Sequence, residues 1–262
     1  METVLSRAKP LLLVGLMGLT AWTVVLAWRE SHPDALFAFL DVGQGKCLLV
    51  RAPNGRTLLI DSGTQTYGEE GRGAELAEKV VLPALRRLGV RHLDVALVTH
   101  PHEDHCNALP NLVQALPPTL FWRPIVPSTE TGYLATEAAM RQVGASVIRV
   151  RQGQKLWLDA RHGLVAEVLG PPEGMPPSSS PMDANNASAI VKVRFGAVSL
   201  LVTGDAGEQA QRWLLHSGAD LSATVLDVPH HGSRHVLPSF LRAVRPKVAV
   251  ISAGRNNPFG HP

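Results

Sequence analysis

An α/β fold is predicted by two regularities of this 262-residue chain. Short apolar runs end repeatedly in turns of small, acidic or imidazole residues. Thr57–Ile60 leads into Asp61-Ser62-Gly63, Val198–Val202 into Thr203-Gly204-Asp205, and residues 225–228 into Pro229-His230-His231-Gly232-Ser233. Helix-periodic stretches lie between them, so the runs read as strands interleaved with helices, with polar ends carried on loops. Sites on layered α/β folds are built there.

In chain order, residues 36–42, 46–51 and 57–61 read as a meander, with Pro53-Asn54-Gly55 as a hairpin turn. Residues 64–73 read as a mobile loop before a helix with apolar Leu76, Val80, Leu85 and Leu88, interrupted at Pro83, which lacks a backbone donor. Residues 93–99 form a buried strand, and a helical segment starts at Ala108. Strands near residues 146–150 and 165–169 open a second half. Residues 170–188, rich in Pro, Ser, Gly and Asn, read as a loop over the cavity and precede a further strand. Glu208–His216 and Pro238–Val244 read as helices, the latter before a strand at 247–251.

The strand at 93–99 delivers the densest chemistry. V-T-H-P-H-E-D-H places His100, His102, Asp104 and His105 within six positions, an arrangement that is costly without a cation. Pro101 stiffens the loop. Imidazole nitrogen with carboxylate oxygen suits zinc, manganese or iron rather than calcium or magnesium. A solvated polar loop is the alternative, but the H-x-H-x-D-H spacing is strict, and Asp61, Asp205, His230 and His231 stand at other strand ends. Glycine beside the acidic groups permits sharp turns and close backbone approach.

In this order, D-S-G, H-x-H-x-D-H, T-G-D and H-H-G-S resemble the metallo-β-lactamase superfamily of metal-dependent hydrolases. Within it, F-L-D-V-G-Q-G at 39–45, Asn185-Asn186-x-Ser188, P-H-H-G-S and Asn257-x-x-Gly260-His261-Pro262 are most similar to the C-terminal hydrolase-like domain of ComEC-type DNA-uptake proteins of competent bacteria. The resemblance runs from about Leu36 to the last residue. It implies a four-layer αββα sandwich and two divalent ions, zinc or manganese. His100 and His102, with an amide oxygen of Asn185 or Asn186 or a water, would hold one ion. Asp104, His105 and one imidazole of His230 and His231 would hold the other, and Asp205 would bridge. The second imidazole would serve the substrate with a proton or hydrogen bond, and the pattern leaves open which is which. Asp61 would orient a histidine or the water from beneath. His261 enters through the G-H-P signature.

Three departures carry expectations. Family members commonly have an acid after G-Q-G, where this chain has Lys46. The usual third-motif histidine has no counterpart, so one metal position is expected to be weak or to prefer a harder ion such as manganese. Relatives continue beyond Gly260-His261-Pro262 with further strand and helix, so the closing element of the fold is expected to be missing, as in a C-terminally truncated domain.

The net charge of +3 excludes the broad basic surface of a DNA-packaging protein. Arg86, Arg87 and Arg91, or Arg141, Arg149 and Arg151, offer local phosphate-friendly patches that read first as solvated faces. Cys47 and Cys106 do not make a disulfide framework. Pro10 to Trp28 contains no charged side chain, long enough for a span of roughly 20 residues. Arg7 and Lys9 precede it, and Trp22 and Trp28 lie toward its far end. Residues 1–30 are therefore expected to be a single-pass membrane anchor, with 31–262 the hydrolase domain on the extracytoplasmic side. Secretion after cleavage near Val25-Leu26-Ala27 is the alternative.

The expected function is a metal-dependent phosphodiesterase or nuclease acting on DNA, taken as single-stranded, during competence-related uptake beside a multi-span channel protein. A non-catalytic DNA-guiding module and a hydrolase of envelope ester or phosphocholine are the alternatives, because a fold does not set a substrate.

Overall fold

The computed structural model describes residues 14–15, 17–27, 33–64, 72–172 and 181–262. Met1–Asp34 and Ala35–Pro262 are two units. In the first, residues 17–27 are helical and expose Met17, Leu19 and Trp22. Among the described residues no helix is long and apolar enough to cross a membrane, so the expected N-terminal span is not found. Pro10 to Leu13, Leu16 and Trp28 of that segment lie outside the described residues.

In the second unit, two six-stranded sheets follow chain order. The first holds β1 (Leu36–Phe39), β2 (Leu48–Arg51), β3 (Thr57–Ile60), β4 (Leu93–Leu97), β5 (Pro118–Arg123) and β6 (Ser146–Arg149). The second holds β7 (Lys155–Asp159), β8 (Leu164–Gly170), β9 (Ile190–Phe195), β10 (Val198–Val202), β11 (Val225–Asp227) and β12 (Val248–Val250). Each sheet starts as an antiparallel meander and turns parallel where a helical crossover intervenes, at β3/β4 and at β10/β11. Parallel neighbours end at the same rim. The D-S-G turn after β3 therefore emerges beside the histidine loop after β4, and T-G-D after β10 emerges beside P-H-H after β11.

Successive strand residues face opposite ways, so the near-continuous apolar runs fill two layers at once. Leu58, Ile60, Val95 and Leu97 meet Ala166, Val168, Val191, Val193, Leu200 and Val202 between the sheets. Leu59, Ala96 and Val98 pack outward on Leu85, Leu109 and Leu112. On the other side Leu201, Leu226 and Val228 pack on Leu214, Phe240 and Val244. These three apolar clusters make the αββα sandwich.

Several local expectations differ. The helix is not broken at Pro83: Arg72–Leu76 passes through a π-helical turn, Ala77–Val81, into Leu82–Arg87, where the proline sits in the first turn. A missing donor is tolerated at that position. The strand expected to open the second half is β6, which pairs in parallel with β5 as the edge of the first sheet and is exposed throughout. Neither β5, which starts at a proline, nor the helix Thr131–Gln142 was anticipated. Within the expected loop 170–188, Pro181–Asn186 is helical, while residues 173–180, like 65–71 of the expected mobile loop, lie outside the described residues.

Candidate metal centre

The floor of the site is laid by Asp61, the residue after β3, in a left-handed conformation with φ +58°. That turn directs its carboxylate under the end of β4. Oδ1 accepts the Thr99 amide at 2.7 Å, and Oδ2 accepts the Thr99 hydroxyl at 2.8 Å and lies 2.8 Å from His105 Nδ1. The Ser62 amide donates to the His105 carbonyl at 2.8 Å. A Cβ at Gly63 would run into the backbone of Glu103, Asp104 and His105, so this contact requires glycine. His102 then starts the short helix Glu103–Cys106, whose first turn presents Asp104 and His105.

The second sheet supplies the facing groups. The Asp205 amide donates to Ser188 Oγ at 3.1 Å. Its Oδ1 lies 3.2 Å from His105 Nε2, while Oδ2 lies 3.4 Å from His231 Nε2, 3.8 Å from His230 Nε2 and 3.9 Å from His100 Nε2. One carboxylate thus faces four imidazoles. Asp104 Oδ2 is 3.1 Å from His231 Nε2. Both His230 and His231 are left-handed, with φ of 50° and 55°, a backbone state costing about 1 to 3 kcal/mol per residue and typical of functional sites. It turns the two rings differently. His231, 2% exposed, donates from Nδ1 to the Ser252 carbonyl at 2.7 Å and so presents Nε2 inward. His230 is partly exposed at the cavity.

Asp104, His105, Asp205 and His231 place one ligand atom each within 4.8 Å of one another and could hold a metal ion. The buried atoms His100 Nε2 and Asn185 Oδ1 have no hydrogen-bond partner among the described residues, and His105 Nε2 and Asp205 Oδ1 face each other at 3.2 Å without a well-formed hydrogen bond. Orphaned polar atoms in a closed site are costly unless a cation satisfies them. A donor set of imidazole and carboxylate fits zinc or manganese.

Charge is distributed accordingly. Burial opposes ionisation throughout, yet Asp205, Asp61 and Asp104 hold His105 well above its usual range. His105 and His231 in turn overcome burial to keep Asp205 well below the carboxylate range. Against burial, Asp205 and Asp104 raise His231 to about 9. At His100 burial dominates, assisted by the His105 cation, and the pKa falls well below normal. In the metal-free protein, the His231 contribution to stability is fully present below about pH 6.5 and is lost as pH rises through about 9. A bound cation must displace such protons. The melting temperature of the chelator-treated protein should therefore fall across that interval while the increment added by zinc grows; an increment independent of pH would show that metal binding displaces no proton from His231.

A cavity of about 370 Å³ lies above these groups, lined by His102, Asp104, Asn185, Asp205, His230, His231 and His261 together with Gln44, Glu103, Glu130 and Phe259. His100 lies below it, with its ring 4.6 Å from that of His102. The His261 ring is 5.6 Å from that of His230 and stacks at 6.2 Å on His231. Asn257 fixes the position of His261, accepting its amide at 3.1 Å and donating to its carbonyl at 2.6 Å. The two asparagines separate in role: Asn186 Oδ1 accepts the Ala210 amide at 3.1 Å in the first turn of Glu208–His216, whereas Asn185 lines the cavity and its Oδ1 is buried without a partner among the described residues. Thr99 and Ser188 were not anticipated as supports. Their signal is slight: each is a hydroxyl beside a motif residue or before an apolar run.

The Metallo-beta-lactamase superfamily profile matches residues 40–255. The chain is 30% identical over 234 residues to "ComE operon protein 3" of Bacillus subtilis (strain 168), covering 85% of this chain and 29% of that protein. It is 31% identical over 256 residues to "Competence protein ComA" of Neisseria gonorrhoeae, covering 94% of this chain and 32% of that protein. It spans under a third of the length of either relative. Among solved structures, CmlA beta-hydroxylase superposes with a TM-score of 0.50 at 15% identity, over 85% of this chain and 46% of that one, a likeness of fold alone.

Proposed function

Because the chain belongs to the metallo-β-lactamase superfamily, whose members are mostly metal-dependent hydrolases, and is similar over most of its length to ComEC-type competence proteins, we propose that it is a metal-dependent phosphodiesterase that cuts DNA, in single-stranded form, during uptake. The observation that carries this reading is Asp205, one carboxylate set among four imidazoles and beside Asp104. Asp104, His105 and His231 would hold one zinc or manganese ion, His100, His102 and Asn185 a second, with Asp205 shared. Bound divalent ions lower the pKa of water and neutralise charge on the attacking and leaving oxygens of a displacement at phosphorus. Asp61 orients His105. His230 and His261 offer ring N–H groups from the cavity wall to phosphoryl oxygens. Space for flanking nucleotides adjoins this cavity: a groove of about 850 Å³ shares Gln44 and Phe259 with it and is bordered by Arg72, Lys79 and Arg255.

The expected result is cleavage of single-stranded DNA by the purified chain loaded with manganese or zinc. Failure to cleave either DNA or a simple bis-aryl phosphodiester would leave the DNA-guiding module in its place. The same reading puts the domain outside the membrane beside a multi-span channel protein, supported by uncharged residues 10–28 behind Arg7 and Lys9. Protease added to spheroplasts should then digest the domain, whereas protection until lysis would reverse the orientation.

A further inference from the structure

We propose that Lys46 is a positioning residue for the metal centre: its ammonium, neutralised by Asp227, ties the turn bearing Asp205 to the sheet that bears Asp104 and His105. The proposal rests on the reading of Asp205 as a metal ligand, but not on DNA as the substrate.

Lys46 is only 4% exposed, although it is a lysine. Its backbone belongs to the first half of the site. The Lys46 amide donates to the Asp104 carbonyl at 3.0 Å, and its carbonyl accepts the Gly63 amide at 3.2 Å. Its side chain crosses to the second half. Nζ donates to the Gly204 carbonyl at 2.7 Å, to Asp227 Oδ2 at 2.9 Å and, at 3.4 Å, to the Val228 carbonyl. It also stands 3.8 Å from Asp205 Oδ1. One residue therefore touches the D-S-G turn, the Asp104 helix, the T-G-D turn and the strand end leading to His230 and His231.

These contacts have a direction. The Gly204 carbonyl that Lys46 holds also accepts the His230 amide at 3.2 Å, so the ammonium fixes the peptide between Asp205 and the left-handed histidine pair. Asp227 is anchored independently, since the Thr203 hydroxyl donates to its carbonyl at 2.7 Å. Burial would strip the proton from an isolated ammonium, but Asp227 and Asp205 outweigh it and raise the Lys46 pKa. The charge also stands near Asp205 Oδ1, the oxygen that faces His105 Nε2 at 3.2 Å, while Oδ2 is turned to His100, His230 and His231. Lys46 thereby holds the turn that carries the carboxylate two metal ions would share.

A purely structural ion pair would behave differently, because replacing both members of a buried pair with neutral groups of similar volume is often tolerated. The test compares the wild type with Lys46→Met/Asp227→Asn, which removes both charges of the buried pair, in the full chain titrated with zinc and with cobalt alone. The double variant should melt close to the wild type without metal, yet bind roughly tenfold or more weakly and show an altered cobalt spectrum. Lys46→Gln/Asp227→Asn, polar but too short to reach the Gly204 carbonyl, gives the same reading should the methionine variant not fold. Metal binding by either double variant as tight as that of the wild type, with an unchanged spectrum, would overturn the proposal and leave Lys46 as a counter-charge only. Absence of DNA cleavage by a normally metallated wild type would instead overturn the substrate assignment and leave the role of Lys46 standing.

Discussion

Asp205→Ala should abolish metal-dependent cleavage of single-stranded DNA, by a factor on the order of 10³ or more, while leaving salt-sensitive DNA binding nearly unchanged. The asymmetry follows from what the carboxylate touches. Asp205 contacts imidazoles and the Lys46 ammonium at the bottom of the cavity and is 2% exposed. Attraction for a phosphate backbone instead comes from surface lysines and arginines and weakens with salt. Without the carboxylate, His105 and His231 lose the strongest of the anions that raise their pKa, and the ligand that two ions would share is gone. Elemental analysis should show fewer ions per chain than in the wild type, and gel-shift titration in two salt concentrations should show matching DNA affinities. Cleavage at the wild-type rate by this variant would remove Asp205 from the mechanism.

Asp61 carries the second large expectation, and two substitutions separate its two jobs. Asp61→Ala leaves the Thr99 amide, the Thr99 hydroxyl and His105 Nδ1 buried without their acceptor, and should cost about 3 to 5 kcal/mol of stability. Asp61→Asn nearly preserves shape and can still accept from Thr99, but its amide donor would face His105 Nδ1. The ring would then be driven to carry its proton on Nε2, the atom that points at Asp205. Stability should change little and zinc affinity should fall about 10- to 100-fold. Thermal melts read the first effect and competition with a chromophoric chelator reads the second; an asparagine variant with wild-type zinc affinity would show that Asp61 is only a structural acceptor.

Some of this was legible in the residues alone. The strand Val198–Val202 and the helices Glu208–His216 and Pro238–Val244 have the bounds their patterns indicate, because each is a local period closed by a turn, a cap or a proline. The standing of Asp61, of the His100–His105 run, of Asp205 and of the His230-His231 pair at strand ends was also legible, since each motif follows an apolar run. What the chain did not announce depends on partners distant in sequence. β6 looks like any short apolar segment until its pairing with β5 makes it an exposed edge. His230 and His231 are chemically equal in the sequence. Only two left-handed residues in succession, with the Ser252 carbonyl holding one ring, send His231 inward and His230 to the cavity. Asn185 and Asn186 part in the same way, because the Ala210 amide claims the second.

Lys46 shows the division most sharply. Its sequence position sets it just after the D-V-G-Q-G run, but its meaning lies 181 residues away at Asp227, across two sheets. Composition and periodicity determine which residues become strands and which motifs stand at their ends, because those are properties of neighbouring residues. The direction of each imidazole, amide and ammonium within the buried part of the site is decided by which donor or acceptor the fold brings within reach. That pairing exists only once the sheets have packed.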